Sequence, residues 1–202
     1  RRQAEGVKGL FPQQSNYQEV NHHYQLTGKR CVFAHFIHLQ DTEWDCLQQT
    51  ESAISFCPTS NLFLGSGLFD LQRARQQKIP VGMGTDIGAG TSFSLLRTLG
   101  DAYKVQQLQN YKFNACEAFY HATLGGAHAL DLHQQIGNFN AGTEADFIVL
   151  DLQATPLQAL RSSNSKDIYE QLFVLMTLGD ERNIVQTWVN GQCVWRQGQA
   201  DN

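Results

Sequence analysis

Apolar runs alternate with polar, helix-like segments along the first half of the chain. The run CVFAHFIHL at 31–39 is continuous and rich in β-forming residues, and shorter runs follow at 52–57 and 79–83. Such runs are typical of parallel strands covered on both faces. The segments between them place apolar residues three or four positions apart, as an amphipathic helix does. The pattern therefore predicts β-α-β-α-β-α units and an α/β fold.

The helical pattern continues after the third strand. Segment 93–109 has helical apolar spacing, and 113–131 is typical of two helical pieces. Asn114 is suited to cap the first piece, and Gly125-Gly126 is expected to separate the two.

From Ile136 the pattern becomes β-rich. Asn140-Ala141-Gly142 predicts a turn before a β run, and Asn190-Gly191 predicts the tight turn of a hairpin near the end. One helix is expected between them, at 167–179. The change in pattern predicts two domains, 1–133 and 134–202.

Composition narrows the class of protein. The 202 residues are 42% hydrophobic and 17% charged, with a formal net charge of −4, so charge gives no reason to expect nucleic acid or an anionic membrane as a partner. No apolar run is long enough to span a bilayer. The five cysteines are scattered and contain no CxxC. They favour a reducing, cytoplasmic setting over a disulfide scaffold.

The first residues are unusual for the start of a protein. The chain opens with Arg1-Arg2-Gln3, without an initiator Met, and runs directly into what resembles the tail of a helix. We therefore expect the sequence to begin inside a longer protein.

Candidate chemistry lies where each predicted strand ends. Asp86 follows the third strand and precedes a loop of small residues, His35 interrupts the first strand, and Ser60 and Asn61 follow the second. The carboxyl ends of parallel strands meet at one edge, where α/β enzymes carry their chemistry. We therefore expect a polar pocket there. The alternatives are that Asp86 begins a turn or caps a helix, and that Ser60 and Asn61 only shape a turn.

The other histidines are expected to be structural. His38 lies three residues after His35 and so on the opposite side of a strand. His22 and His23 are adjacent, and neighbours on a helix point about 100° apart, so they seldom converge on one metal ion. The remaining three histidines, His121, His128 and His133, fall in or beside the helical part, away from the strand ends.

Motifs for a complete metal site are absent from these residues. Catalytic zinc usually has three protein ligands and an open position for water. The chain contains no HxH, HExxH or HxxE, and no HxE with PCxxC. The residues by themselves predict part of a parallel α/β enzyme with a polar site.

Several stretches closely resemble the amidohydrolase superfamily, and within it the guanine deaminase branch. They are VFAHFIHL, ISFCPTSNLFLGSGLFDL, VGMGTDIGAGTSFSLLRTL, ATLGGAHALDL, IGNFNAGTEADFIVLDL and LFVLMTLGD, which together cover essentially the whole chain. The resemblance implies the C-terminal part of a (β/α)₈ TIM barrel, strands six to eight with their helices, followed by a small β-sandwich segment. It also implies that the rest of the barrel lies upstream of Arg1.

The resemblance further implies the residue roles. Asp86 matches the eighth-strand aspartate that binds one divalent metal, normally zinc, and His35 matches the sixth-strand histidine that contacts water or substrate. Asp86 and His35 are thus the expected catalytic residues, with Ser60 and Asn61 beside them at the substrate. The remaining zinc ligands and a proton-shuttling glutamate are expected upstream.

The implied reaction is the hydrolysis of guanine to xanthine and ammonia by a cytoplasmic enzyme that is a homodimer when complete. The chain by itself is expected to be inactive. Two alternatives stay open: another deaminase or N-acyl hydrolase of the superfamily, or a truncated subunit that serves as a scaffold without catalysis.

Overall fold

Three parallel strands form the sheet that carries the candidate residues. In the computed structural model, which describes residues 9–199, β1 (Val32–Ala34), β2 (Ala53–Phe56) and β3 (Val81–Met83) lie in the order β1-β2-β3. Both pairs are parallel, with Ser55 opposite Ala34 on one side and Gly82 on the other. The predicted alternation of strands and helices is confirmed.

Helices precede, connect and follow these strands. In chain order they are α1 (Tyr17–His23), α2 (Asp41–Gln49), α3 (Pro58–Phe63), α4 (Leu71–Gln76), α5 (Leu95–Leu108), α6 (Ala115–Ala122) and α7 (Leu124–Ala129). Asn114 caps α6 as predicted, because its side-chain oxygen accepts a hydrogen bond from the backbone N–H of Glu117. Local signals of this kind explain why these segments become helical.

The core lies between the parallel sheet and the helices. Ile54 and Phe56 of β2 are fully buried and belong to one apolar cluster with Leu47 of α2 and Leu99 of α5. Burial of large apolar side chains is the main favourable term in folding, so this cluster fixes the strand ends relative to the helices.

A second sheet is antiparallel and follows the helical part. It consists of β4 (Phe147–Leu150), β5 (Ile184–Val189) and β6 (Gln192–Arg196), in that order. Asn190 and Gly191 have φ of 49° and 73°, the left-handed values that a type I′ hairpin turn requires. The predicted hairpin is confirmed.

Two further helices lie within the β-rich segment. They are α8 (Pro156–Ser162) and α9 (Ile168–Leu178), which end before a short 3₁₀ turn at Glu181–Asn183. Met176 of α9 is fully buried in the same core cluster as the first sheet. A helix of the β-rich segment thus packs against the core of the α/β part.

Several predicted boundaries differ from the structure. The strand expected over 31–39 stops at Ala34, so His35 follows the strand instead of interrupting it. The residues after Cys57, expected as a loop, form α3, because Pro58 suits the first turn of a helix. Gly125 and Gly126 lie inside α7, and the break between α6 and α7 falls at Thr123.

Parts of two predictions fall outside the described residues. The helix tail expected at the start of the chain, and the outer ends of the domains 1–133 and 134–202, include residues 1–8 and 200–202. Among residues 9–199, no helix is long and apolar enough to cross a membrane.

Candidate active site

His35 and Asp86 both lie just beyond the carboxyl ends of strands of the parallel sheet. His35 is the first residue after β1, and Asp86 follows β3 after two residues. Both have left-handed backbone conformations, with φ of 72° and 47°. Such conformations cost energy for residues other than glycine and cluster at functional sites, where the surrounding structure maintains them.

The two side chains face each other across the end of β2. His35 Nε2 lies 3.7 Å from Asp86 Oδ2, and the side chains are 41% and 36% exposed. This separation is longer than a hydrogen bond, so the two side chains are close neighbours that do not bond each other directly. Among residues 9–199 no side chain or backbone group donates a hydrogen bond to the Asp86 carboxylate. The carboxylate is therefore available to a ligand on its exposed side.

Asn61 makes a hydrogen bond with Nδ1, the second nitrogen of the His35 ring. The His35 Nδ1–H donates a 2.8 Å hydrogen bond to Asn61 Oδ1, because an amide oxygen can only accept. Asn61 lies on α3 and is 2% exposed, so the hydrogen bond has a buried, fixed acceptor. This contact leaves Nε2 as the ring atom that faces Asp86 and the open side of the site.

The loop after Asp86 closes tightly on itself. The backbone N–H of Gly90 donates to the Asp86 carbonyl at 2.6 Å. A Cβ on Gly90 would overlap the carbonyl oxygen of Thr85, so only glycine fits this closure. The small residues noted in the sequence thus serve to turn the chain sharply beside the carboxylate.

Ser55, Cys57 and Gly84 lie close to the two candidate side chains, His35 and Asp86. A Cβ on Gly84 would lie 2.5 Å from Ser55 Oγ and 2.9 Å from Cys57 Sγ, so β2 and β3 approach closely because this residue has no side chain. Burial raises the pKa of the Cys57 thiol, and the negative charge of Asp86 raises it further. The thiol therefore stays protonated and is a packing group instead of a nucleophile.

Ser60 and Asn61 lie beside His35 but are enclosed. Ser60 is 0% exposed, and Ser60 Oγ and Asn61 Nδ2 are both buried without a hydrogen-bond partner. Direct contact of either atom with a substrate would need a local rearrangement. Their contact with substrate stays a prediction, whereas the bond from His35 to Asn61 is visible in the structure.

The remaining histidines make contacts elsewhere. His38 donates from Nε2 to the carbonyl of Ser66 at 2.8 Å and so ties down the loop after α3. His121 donates from Nδ1 to the Val81 carbonyl at 2.8 Å, and its burial lowers the pKa of its ring. His128 and His133 stack with ring centroids 4.1 Å apart. Each thus has a packing or hydrogen-bonding partner, and a structural role for these four histidines stays a prediction.

The donor set fits part of a zinc site. Asp86 offers a free carboxylate, a group that zinc accepts, and the His35 ring lies 3.7 Å from it, where it could contact a water or a substrate. In the described part of the chain, no cluster of three or more His, Cys, Asp or Glu side chains could hold a metal ion. A catalytic zinc site usually has three protein ligands, so these residues fit such a site in kind but do not complete it.

Comparison with known proteins identifies the family. The model of the amidohydrolase family matches residues 4–194. The chain belongs to the amidohydrolase family. Guanine deaminase of Escherichia coli (strain K12) is 59% identical over 191 residues, which are 95% of this chain and 44% of that relative.

Solved structures of family members superpose closely. A structure of Escherichia coli guanine deaminase matches with a TM-score of 0.95 and 56% identity, over 98% of this chain and 46% of that one. A structure of guanine deaminase from C. acetobutylicum with guanine bound in the active site matches with a TM-score of 0.83 and 30% identity, over 96% of this chain and 46% of that one. This amidohydrolase-family chain thus spans less than half the length of these relatives.

Proposed function

We propose that this chain is part of a guanine aminohydrolase, which converts guanine and water to xanthine and ammonia. The observation that carries the proposal is the facing pair His35 and Asp86 at the carboxyl edge of a parallel sheet, in a chain 59% identical to a guanine deaminase. The relative from C. acetobutylicum binds guanine in its active site, which supports guanine as the small-molecule substrate.

Asp86 is the proposed metal ligand and proton acceptor. One carboxylate oxygen would hold a zinc ion, and the other would take a proton from the attacking water. When bound, zinc makes a hydroxide available near neutral pH by lowering the pKa of its water. The tight loop at Gly90 supports this role, because it holds the Asp86 backbone while leaving its side chain 36% exposed.

His35 is the proposed hydrogen-bonding group at the water and the substrate. Its Nδ1 is engaged by Asn61, so only Nε2 is free to contact a ligand, and that atom lies on the Asp86 side. Ser60 and Asn61, both buried beside His35, complete the proposed substrate-side set.

The remainder of the proposal concerns the whole protein. We assign β1, β2 and β3 to strands six, seven and eight of a (β/α)₈ barrel, and β4–β6 to part of a β-sandwich. We propose that the boundary between the two domains lies between residues 133 and 134. The complete enzyme is proposed to be a cytoplasmic homodimer. The five unpaired thiols fit a reducing compartment.

The test is Asp86→Ala in the full-length protein that contains this chain. A group that moves a proton in the transition state contributes about 10²–10⁴-fold, so guanine turnover should fall by at least about a hundredfold. Zinc content should fall with it. Loss of less than about a hundredfold would remove Asp86 from the proposed machinery.

Asp131→Ala is the matched control. Asp131 is also an aspartate with a left-handed backbone, at φ 57°, but it pairs with Arg30 at the surface. Its replacement should leave turnover and zinc content unchanged. If the full-length protein deaminates no purine, yet folds and binds zinc, a scaffold role becomes the better description.

A further inference from the structure

We propose that Asn61 is a positioning residue, which fixes the orientation and the protonated nitrogen of the His35 ring. The effect of Asn61 on turnover presupposes the proposed deamination. Its effect on the His35 ring can be tested without that activity. The role differs from direct substrate binding, because Asn61 acts through His35.

Few other contacts restrain the orientation of the His35 ring. Its backbone N–H donates to the Ser55 carbonyl at 3.1 Å, which anchors the main chain only. The side chain is 41% exposed, and its closest approach to Asp86 is 3.7 Å, beyond hydrogen-bonding distance. Among residues 9–199 the bond to Asn61 is therefore the one hydrogen bond that restrains the ring.

Asn61, in contrast, is rigidly placed. Its backbone N–H donates to the Cys57 carbonyl at 3.0 Å, and its own carbonyl accepts from Ser66 N–H at 2.9 Å. At 2% exposure it is packed on all sides. A buried side chain on a hydrogen-bonded helix loses little further entropy when it makes a bond, so it serves well as the fixed partner of a mobile one.

The direction of this hydrogen bond determines which nitrogen of the His35 ring carries the proton and which keeps a lone pair. With Nδ1–H directed at Asn61 Oδ1, a neutral ring keeps its lone pair on Nε2, on the side of Asp86. Without the acceptor the ring can rotate and can carry its proton on either nitrogen. Partners that orient a catalytic or metal-binding histidine in this way are typically worth about 10- to 100-fold in activity.

The experiment compares two variants in the full-length protein. Asn61→Leu removes the acceptor and keeps a similar volume, and Asn61→Asp keeps an oxygen that accepts from Nδ1. We expect Asn61→Leu to lower kcat by about 10- to 100-fold with little change in KM, and Asn61→Asp to recover most of the loss. Zinc content, measured in each variant, should stay at the wild-type level.

A spectroscopic readout separates positioning from activity. In protein labelled with nitrogen-15 histidine, the His35 signals should report Nδ1–H in the wild type and in Asn61→Asp, and a mixture of tautomers in Asn61→Leu. The exposed Asn164, replaced by Ala, is the control for loss of an amide and should change neither readout.

Each outcome bears on the proposal. An unchanged tautomer together with kcat within about twofold in Asn61→Leu would overturn it, since no oriented partner would then have been lost. If the wild-type protein does not deaminate guanine, but the tautomer still changes in Asn61→Leu and returns in Asn61→Asp, the positioning role stands and the proposed activity does not. Should Asn61→Leu fail to fold, Asn61→Asp decides: a mixed tautomer there contradicts the role.

Discussion

The hydroxyl of Thr59 donates a 2.8 Å hydrogen bond to the carboxylate of Asp101. Thr59 lies two residues before Asn61 on α3, and Asp101 lies on α5, so the bond joins the helix behind His35 to the longest helix of the structure. Thr59 is 8% exposed. The Asp101 side chain is 24% exposed. The bond is therefore partly buried and should contribute to the placement of α3.

Thr59→Val should destabilise the protein. The substitution keeps the shape of the side chain and removes the donor, and hydrogen bonds to charged groups contribute about 1.5–3 kcal/mol. Urea unfolding at neutral pH should show a decrease of this size in the free energy of unfolding.

Lys104→Ala is the control, because it removes the other partner of Asp101, an ion pair of 3.1 Å at the surface. That pair should be worth at most about 1 kcal/mol. Equal losses in the two variants would contradict the importance of the Thr59 bond.

Gly84→Ala should disturb the base of the candidate site. The new methyl group would lie 2.5 Å from Ser55 Oγ and 2.9 Å from Cys57 Sγ, and neither neighbour is at the end of a long flexible side chain. Overpacking of this kind typically costs about 1–3 kcal/mol. Because Gly84 lies two residues before Asp86, guanine turnover in the full-length protein should fall as well.

Gly126→Ala is the control for that substitution. Its methyl group would meet its nearest neighbour, the His121 carbonyl, at 3.6 Å, an ordinary contact. Alanine is favoured over glycine inside a helix by up to about 1 kcal/mol, so thermal unfolding should occur at the same or a higher temperature. A Gly84→Ala protein as stable as Gly126→Ala would show that β2 and β3 are not closely packed there.

Protonation of His121 should destabilise the folded protein. Burial lowers the pKa of this ring below its ordinary value of 6.5, so the unfolded chain takes up the proton first as the pH falls. Stability should therefore be full above 6.5 and decrease below it, by up to about 1.4 kcal/mol per pH unit, until the lowered pKa is reached.

The measurement is urea unfolding between about pH 7.5 and about pH 5.5. In His121→Gln, which keeps an amide donor near the Val81 carbonyl but does not titrate, the decrease with acid should be smaller. His23→Gln, at an exposed position on α1, should keep the wild-type dependence. An identical slope in His121→Gln and wild type would assign the pH dependence to other groups.

The local sequence pattern was sufficient to predict most of the helices and strands. The apolar run around Ile54 predicts β2, the cap at Asn114 predicts the start of α6, and Asn190-Gly191 predicts the hairpin, because each signal acts within a few residues. The strand ends also predict that His35 and Asp86 lie at one edge, since parallel strands share a direction.

The contacts made within the candidate site depended on the tertiary structure. The segment with Asn61 has a turn-like composition, but packing against α5 and a proline in its first turn make it helical, and this helix carries Asn61 to His35, 26 residues earlier in the chain. In the same way His121, which no local signal connects with a strand, donates to the Val81 carbonyl. Hydrogen bonds between residues so far apart exist only once the core has brought their backbones together, because the free energy that forms them comes from burial over the whole fold.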